Sequence, residues 1–470
     1  MHVVNFPYTH CQFGVAARDT TPPAGIYMRA WGAATHDIAD GVHRPHFATA
    51  ALFAPIGGGE PLALVALDIG WFQNPGDEQA IRDEVMRRTG LTPDRLLVNL
   101  SHTHASVNAN STLSERPGGQ LLKPYLAHLA EQVAGAVVDA RQKMTPAWIA
   151  WGYGHCGLAT NRDYWDADKQ HWACGYNPER TPDDTLLVAR VTDADGQVRA
   201  TLYNYACHPT TLAWQNHVLS PDFIGAAREV LERAFEAPAL FLQGALGDQA
   251  PRDNYVGDSA IADSNGRQLV YADAGVIEGL PPPATRFAYQ GIVASGADLG
   301  TWAYEPIDAA QQQAAEVLRA EQLSVDLPRK AGLPSIAELE TRLAATTDRR
   351  ENEITMRKLL LERSLGPDPV HHMPLWIWRL GQAMLVAICQ EPYAVVQQTL
   401  RQRFPGVPVV VMGVTNRSYG YLPPRELFGK GIYQEQQSPY AAGCMELTVE
   451  AAAEGIAGLM RAPRGENRTG

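Results

Sequence analysis

Histidine and glutamate residues follow several apolar runs of this sequence. His102 and His104 come after the run RLLVNLS, and His208 comes after ATLYNYAC. Glu391 follows AMLVAICQ and, like His208, stands directly before a proline. Neutral imidazole is the commonest metal ligand in proteins and also serves as a general base near neutral pH. Two histidines and one glutamate that leave a position open for water form a known catalytic zinc arrangement.

The spacing of His102 and His104 favours a shared site. In an extended segment, residues at positions i and i+2 point to the same side, so both imidazoles can reach one ion or one substrate. The prolines after His208 and Glu391 restrict these residues to extended geometry, which holds their side chains in place. The alternative is that the histidines are structural and are satisfied by hydrogen bonds.

The elements that must position these residues can be predicted from apolar periodicity. Short runs rich in Val, Leu, Ile or aromatic residues predict buried strands that begin near residues 61, 95, 200, 239, 383 and 407. Amphipathic helices are predicted at 76–89, 124–143, 222–236 and 440–461. We therefore expect an α/β fold, with twisted multi-stranded sheets flanked by helices and with polar side chains gathered at strand ends.

Composition and charge argue against other classes of function. The chain has 470 residues and a formal net charge of -12, so it is a poor candidate for binding nucleic acid through the phosphate backbone. The N-terminal sequence lacks the features of a signal peptide, and no apolar stretch is long enough to predict a transmembrane segment. We therefore expect a cytoplasmic protein. The sequence leaves the oligomeric state open, and a homo-oligomer is possible.

The predicted domain organisation is simple. Residues 1–462 are expected to form a single metallohydrolase catalytic domain, and residues 463–470 a disordered tail. A polar segment at about 305–365, rich in Glu, Arg, Gln and Ala, predicts an inserted helical hairpin that stands off the core. This hairpin would be either a solvated excursion or a functional lid or oligomer contact.

Several short motifs occur in an order that resembles the catalytic domain of the neutral/alkaline ceramidases. These are zinc-dependent amidases that release a fatty acid from ceramide. The matching segments are Gly14–Pro22, Ser101–His104, Asn161–Arg162, Ala206–Thr210, Gly247–Pro251 and Tyr421–Glu426 with the later Tyr433. They span nearly the whole chain and indicate the superfamily, but they do not indicate the substrate.

The resemblance implies a role for each matching residue. One zinc ion per chain would be bound by His102, His208, Glu391 and Tyr421, with Tyr419 as the alternative tyrosine. His104 would act as general base and acid, and Arg162 and Tyr433 would contact the substrate carbonyl and the developing oxyanion.

The sequence also departs from the family pattern. Ala250 stands where the family's GDxSP motif has serine, so a serine nucleophile is not available at that position. The family's HTHSGP is HTHASV here, and we expect no room for the C-terminal β-sandwich domain of typical members. We therefore expect a zinc-dependent hydrolase that cleaves the amide (N-acyl) bond of a small or lipid-like substrate with metal-activated water. An ester, lactone or lactam hydrolase and a catalytically impaired ligand-binding homologue are the alternatives.

Overall fold

The computed structural model of the protein describes residues 2–461, and the disordered tail predicted for residues 463–470 lies outside them. The strands, in chain order, are β1 (Val3–Val4), β2 (Tyr8–Asp19), β3 (Gly41–Val42), β4 (Phe47–Ala54), β5 (Leu62–Leu67), β6 (Leu96–Leu100), β7 (Thr145–His155), β8 (Ala159–Asn161), β9 (Asp163–Asp166), β10 (His171–Cys174), β11 (Thr185–Thr192), β12 (Val198–Tyr205), β13 (Val218–Leu219), β14 (Ala239–Gln243), β15 (Gln249–Pro251), β16 (Thr285–Ala294), β17 (Asp298–Pro306), β18 (Leu318–Pro328), β19 (Val370–Leu380), β20 (Ala383–Ile388), β21 (Glu391–Pro392), β22 (Val409–Met412) and β23 (Tyr421–Leu422). The α-helices are α1 (Pro75–Thr89), α2 (Leu122–Gln142), α3 (Phe223–Phe235), α4 (Ser259–Glu278), α5 (Ala309–Ala315), α6 (Ile336–Ala345), α7 (Arg349–Leu365), α8 (Val395–Arg403), α9 (Tyr433–Gln437) and α10 (Cys444–Met460).

The larger sheet has eight strands in the order β14-β12-β11-β7-β2-β4-β5-β6. Its interior strand β4 is buried on both faces because successive side chains alternate between two apolar layers. Ala50 and Leu52 pack with residues of α1 and α2, whereas Ala51 and Phe53 pack with residues of the second sheet. On the same face of the larger sheet as α1 and α2, helices α3 and α4 cover strands β7, β11, β12 and β14.

The second sheet has four strands in the order β18-β19-β20-β22. Its inner face packs on the larger sheet, and residues of α8 and α10 join the same apolar cluster. The layers are therefore helix, sheet, sheet and helix, which confirms the predicted α/β class with multi-stranded sheets flanked by helices. Among residues 2–461, no helix combines the length and the apolar character needed to cross a bilayer.

The edge strands of the larger sheet, β6 and β14, approach each other at Asn99. Its Oδ1 accepts a hydrogen bond from Gln243 N at 2.7 Å, and its Nδ2 donates to Gly413 O at 2.8 Å. Neighbouring strands are rotated by roughly −20 to −25°, so the twist accumulated across the sheet turns its two edges toward each other. The ends of β6, β14 and β22 therefore meet around one buried side chain, which brings together the segments that follow them.

The segment 305–365 differs from the predicted helical hairpin in its first part. Residues Leu318–Pro328 form the edge strand β18, which pairs antiparallel with β19. Val325 and Leu327 face the core and alternate with exposed polar residues, as expected for a strand with one solvated face. The helical hairpin is confined to α6 and α7, and it lies against the body of the protein rather than standing off the core.

Candidate metal centre

His102 follows β6 in a turn that fixes its imidazole. Its φ of 65° is uncommon for a residue other than glycine. The backbone N–H of His102 donates to Ile69 O at 2.9 Å, and its Nδ1 lies 3.0 Å from Gly70 O. Because a carbonyl oxygen can only accept, Nδ1 carries a proton, and the Nε2 atom is the one that faces the site.

His208 is held in the same way at the end of β12. Its Nδ1 lies 2.8 Å from Leu246 O and 3.1 Å from Gln249 O, so this nitrogen also carries the proton. Its Nε2 lies 3.0 Å from Oε2 of Glu391, and His102 Nε2 lies 3.5 Å from the same oxygen. Two imidazole nitrogens and one carboxylate oxygen, all from buried residues, therefore face one another.

The charges of this group fit a bound cation. Burial, with Arg162 nearby, lowers the pKa of His208 to about 3, so its imidazole is neutral. Burial opposes ionisation of Glu391, but His102 and His208 outweigh it and hold the pKa of this carboxyl well below its ordinary value. A buried carboxylate needs a compensating positive charge. The donor set of two nitrogens and a carboxylate oxygen is one that a divalent metal ion satisfies.

Tyr421 lies beside Glu391 because the short strands β21 and β23 are paired in parallel, with these two residues as partners. The Tyr421 hydroxyl accepts a hydrogen bond from Arg162 Nη2 at 3.1 Å, and the same nitrogen donates to Gly247 O at 2.9 Å. Burial raises the pKa of Tyr421 well above its ordinary value, and Glu391 adds to the rise while Arg162 opposes it. Arg162 is therefore placed to hold Tyr421 and to favour its ionised form.

Tyr419, the alternative tyrosine ligand, points elsewhere. Its hydroxyl lies 2.7 Å from Arg417 Nη1, and its ring packs 4.6 Å from His371. The Tyr421 ring, by contrast, lies 6.3 Å from the imidazole of His208. The structure therefore favours Tyr421 over Tyr419 as the tyrosine of this site.

His104 lies next to the two other imidazoles. The ligating nitrogens of His102, His104 and His208 all lie within 4.8 Å of one another, and such a group could hold a metal ion. His104 Nε2 is 3.3 Å from His102 Nε2. Burial lowers the pKa of His104 well below its ordinary value, and both neighbouring imidazoles add to this effect. The geometry admits two roles for His104, a third imidazole ligand or a proton acceptor beside the ion.

A cavity of about 1130 Å³, counted out to its open mouth, leads from this site to the helical hairpin. The site residues that line it are His102, His104, Glu391, Tyr421 and Tyr433. The hairpin and the loop before it contribute five apolar residues, three charged residues and one serine: Leu333, Pro334, Leu339, Leu360, Leu361, Arg357, Lys358, Glu362 and Ser364. The hairpin therefore covers the route to the site.

The motif Gly247–Pro251 has a supporting position. Asp248 accepts a hydrogen bond from Ala394 N at 2.8 Å, and burial raises its pKa to about 7. Its carbonyl oxygen accepts from Arg162 N at 2.9 Å. Ala250 is buried in β15, opposite Thr160 of β8. These contacts fix the loop that carries Arg162.

Two residues beside the site were not identified from the sequence. The ring of Trp71 lies 4.9 Å from the imidazole of His104, and the guanidinium of Arg357 lies 5.3 Å from the Trp71 ring. Trp71 follows the apolar run of β5, so the strand-end pattern that identified His102 applies to it as well. Arg357 is on α7, and its position depends on how the hairpin packs, for which the sequence carries no local signal.

Comparison with known proteins supports this description. No family model matches the chain. The structure is similar to that of a ceramidase described as complexed with C2, with a TM-score of 0.65 and 15% identity over 96% of this chain and 74% of that one. It is also similar to the neutral ceramidase from Pseudomonas aeruginosa, with a TM-score of 0.64 and 17% identity over 97% of this chain and 76% of that one. The chain therefore has the ceramidase fold, and the resemblance predicted from its motifs is confirmed at the level of the fold.

Proposed function

We propose that the protein is a zinc-dependent hydrolase that cleaves the amide (N-acyl) bond of a small or lipid-like substrate. One zinc ion per chain would be bound by His102, His208, Glu391 and Tyr421. The observation that carries the proposal is the contact between His208 Nε2 and Glu391 Oε2 at 3.0 Å, where the other imidazole nitrogen already donates to carbonyl oxygens. Burial keeps the His208 imidazole neutral, and a divalent cation bound by both atoms would satisfy a lone pair that faces a carboxylate.

The ion would polarise the substrate carbonyl and lower the pKa of bound water to ~7. The other steps would be carried out by side chains of the protein. His104, a neutral imidazole beside the histidine ligands, accepts a proton from the attacking water and returns it to the leaving nitrogen. Such an acid–base group typically contributes about 10²–10⁴ in rate.

Arg162 and Tyr433 act on the carbonyl side. The ring of Tyr433 lies 5.8 Å from that of Tyr421, and Tyr433 lines the cavity. Its hydroxyl is therefore proposed to donate to the developing oxyanion, which is usually a large stabilising effect. Arg162 already donates to the Tyr421 hydroxyl, so its positive charge acts from behind this residue.

The cavity supports an acyl substrate with an apolar chain. Leu339, Leu360 and Leu361 of the hairpin face the space that leads to the site. We propose that the chain binds beneath this hairpin, which would then act as a lid. Because both sheets contribute strand ends to the site, we also propose that residues 1–462 act as a single catalytic domain.

The test combines metal analysis with a substrate series. Purified protein is stripped with a chelator, reloaded with zinc, and assayed on fatty-acyl amides of increasing chain length and on the matching esters. We expect activity to follow zinc content and to be highest on amides. Activity on esters or lactones alone would replace the amidase assignment, and tight substrate binding without turnover would indicate a ligand-binding homologue. Full amidase activity in metal-free protein would contradict the proposal.

A further inference from the structure

Trp31, Trp214 and Tyr255 form a continuous set of aromatic rings beside His104, here called the aromatic wall. The Trp31 ring lies 5.2 Å from the imidazole of His104. It meets the rings of Trp214 and Tyr255 edge-on, at 6.0 and 5.8 Å. Those two rings lie 6.2 Å apart and within 24° of parallel. Trp31 is thus the member of the aromatic wall that lies next to His104, the proposed proton carrier.

The aromatic wall is not part of the core. None of its three residues belongs to the apolar clusters that join the sheets and helices within residues 2–461. Trp214 leaves 37% of its surface exposed. Large aromatic residues grouped at a partly open site typically mark a surface that binds a ligand or partner.

The backbone is built to hold the wall. Tyr255 has a φ of 60°, a left-handed conformation that is unusual for a bulky residue. Hydrogen bonds from Val256 N to Thr211 O at 2.8 Å and from Ala213 N to Val256 O at 2.9 Å tie its loop to the segment before Trp214. Strained residues that the surrounding structure fixes in this way cluster at functional sites.

We propose that the aromatic wall is the subsite for the leaving amine and that it recognises an aromatic ring on this half of the substrate. The inference rests on the proposed function, in which His104 returns a proton to the leaving nitrogen. The amine half must therefore lie next to His104, and Trp31 is the ring that links His104 to the rest of the wall. The leucines beneath the hairpin take the acyl half instead. Aromatic faces favour both a stacked ring and the ammonium formed on release.

Two amides with exchanged halves test the assignment. One is the phenethylamide of hexanoic acid and the other is the hexylamide of phenylpropanoic acid, so both leaving groups are alkylamines of similar reactivity. We expect kcat/KM to favour the phenethylamide about tenfold, and Trp214→Ala to abolish the preference. Trp302→Ala is the matched control, because Trp302 is 40% exposed on β17 and does not contact the site. A preference for the hexylamide, or a preference that Trp214→Ala leaves unchanged, would overturn the proposal.

A binding measurement separates this inference from the proposed function. Phenethylamine is titrated calorimetrically into wild-type and Trp214→Ala protein, with cyclohexylethylamine as the saturated counterpart. We expect the wild type to bind phenethylamine about tenfold more tightly than the saturated amine and the variant to bind both equally. If no amide is hydrolysed but this difference in affinity is found, the proposed function is wrong and the aromatic wall is still supported as a binding site for an aromatic amine. If amides are hydrolysed and no difference in affinity is found, the amine subsite at the aromatic wall is wrong and the proposed function is unaffected.

Discussion

His208 Nε2 lies 3.0 Å from Glu391 Oε2, while the opposite nitrogen of the same imidazole donates to the carbonyl oxygen of Leu246. This pair is the centre of the candidate site because neither atom has a proton to share. A cation resolves the conflict by accepting both lone pairs. An amide in place of the carboxylate would instead donate a hydrogen bond to His208 Nε2. The two cases differ in zinc content and in thermal stability, and both can be measured.

Glu391→Gln should abolish metal binding without lowering the stability of the metal-free protein. We expect zinc content to fall from about one ion per chain to near zero, since a neutral amide is a poor ligand beside two imidazoles. The glutamine NH₂ can donate to His208 Nε2, so metal-free Glu391→Gln should unfold at the same temperature as metal-free wild type or higher. Zinc should stabilise the wild type alone, by about 2.7 kcal/mol at a free zinc concentration one hundred times Kd.

The control for this experiment is Glu450→Gln, which removes a carboxylate from a surface ion pair with Arg403. Its zinc content and melting temperature should match those of the wild type. Plasma emission spectrometry measures the zinc content, and thermal unfolding with and without chelator measures the melting temperature. Retention of a full zinc complement by Glu391→Gln would exclude this carboxylate as a ligand.

His104→Ala distinguishes the two roles that the geometry allows for this residue. If His104 carries the proton, the variant keeps its zinc and loses about 10²–10⁴ in kcat. If His104 is a third imidazole ligand, zinc is lost together with activity. We expect the first outcome, because Glu391 and Tyr421 would complete the proposed set of four ligands with His102 and His208. His128→Ala, on the exposed face of α2, is the control and should change neither quantity.

The sequence predicted the strand ends of the site well, because the signals are local. Apolar runs ending in His102, His208 and Glu391 needed only the periodicity of buried strands, and β6, β12 and β20 lie where these runs predict. The sequence also placed Tyr421 and Arg162 through the family resemblance. These two residues are 259 positions apart, and their hydrogen bond depends on the whole fold.

The residues that the sequence did not identify depend on long-range packing. Trp214 and Tyr255 meet because two loops pair at Leu212 and Val256, and no periodic pattern marks either loop. The error at β18 has a related cause. An edge strand with one solvated face is as polar as a surface helix, and only its pairing with β19 distinguishes the two.

Glu353→Gln should loosen the helical hairpin. Glu353 of α7 lies 3.3 Å from Arg29 Nε on the body and also pairs with Arg357. Its loss leaves the buried Arg29 with less compensating charge and weakens the contact beneath α7. We expect faster proteolysis between α6 and α7 and about a threefold to tenfold higher KM for long-chain amides.

The control for the hairpin is Glu340→Gln, because Glu340 pairs with Arg363 inside the hairpin and not with the body. This variant should be cleaved at the wild-type rate and should keep its KM. Equal cleavage of both variants would show that the ion pairs to Glu353 do not hold the hairpin in place.

Asn99→Ala should destabilise the whole fold, because Asn99 joins the ends of three strands. The substitution leaves Gln243 N and Gly413 O without their partner in a buried region. Unsatisfied buried groups typically cost about 1–3 kcal/mol each, so we expect a loss of about 3 kcal/mol in the free energy of unfolding. Urea unfolding measures this loss, with the exposed Asn5→Ala as control. A loss below about 1 kcal/mol would show that the strand ends are held together without Asn99.

His46 should make the stability of the fold depend on pH. Its side chain is fully buried, and in the described part of the chain neither ring nitrogen has a hydrogen-bond partner. Burial lowers the pKa of His46 to about 4, with Arg228 adding to this effect and Asp68 opposing it. The unfolded chain takes up a proton near its ordinary pKa of about 6.5, so this residue's contribution is complete above that pH and is lost as pH falls toward about 4. Between about pH 7 and about pH 5 the expected loss is about 2 kcal/mol. Urea unfolding at both pH values should show this loss in the wild type and in His128→Gln, and a smaller loss in His46→Gln, which cannot titrate. An unchanged pH dependence in His46→Gln would show that His46 takes up its proton equally in the folded and unfolded states.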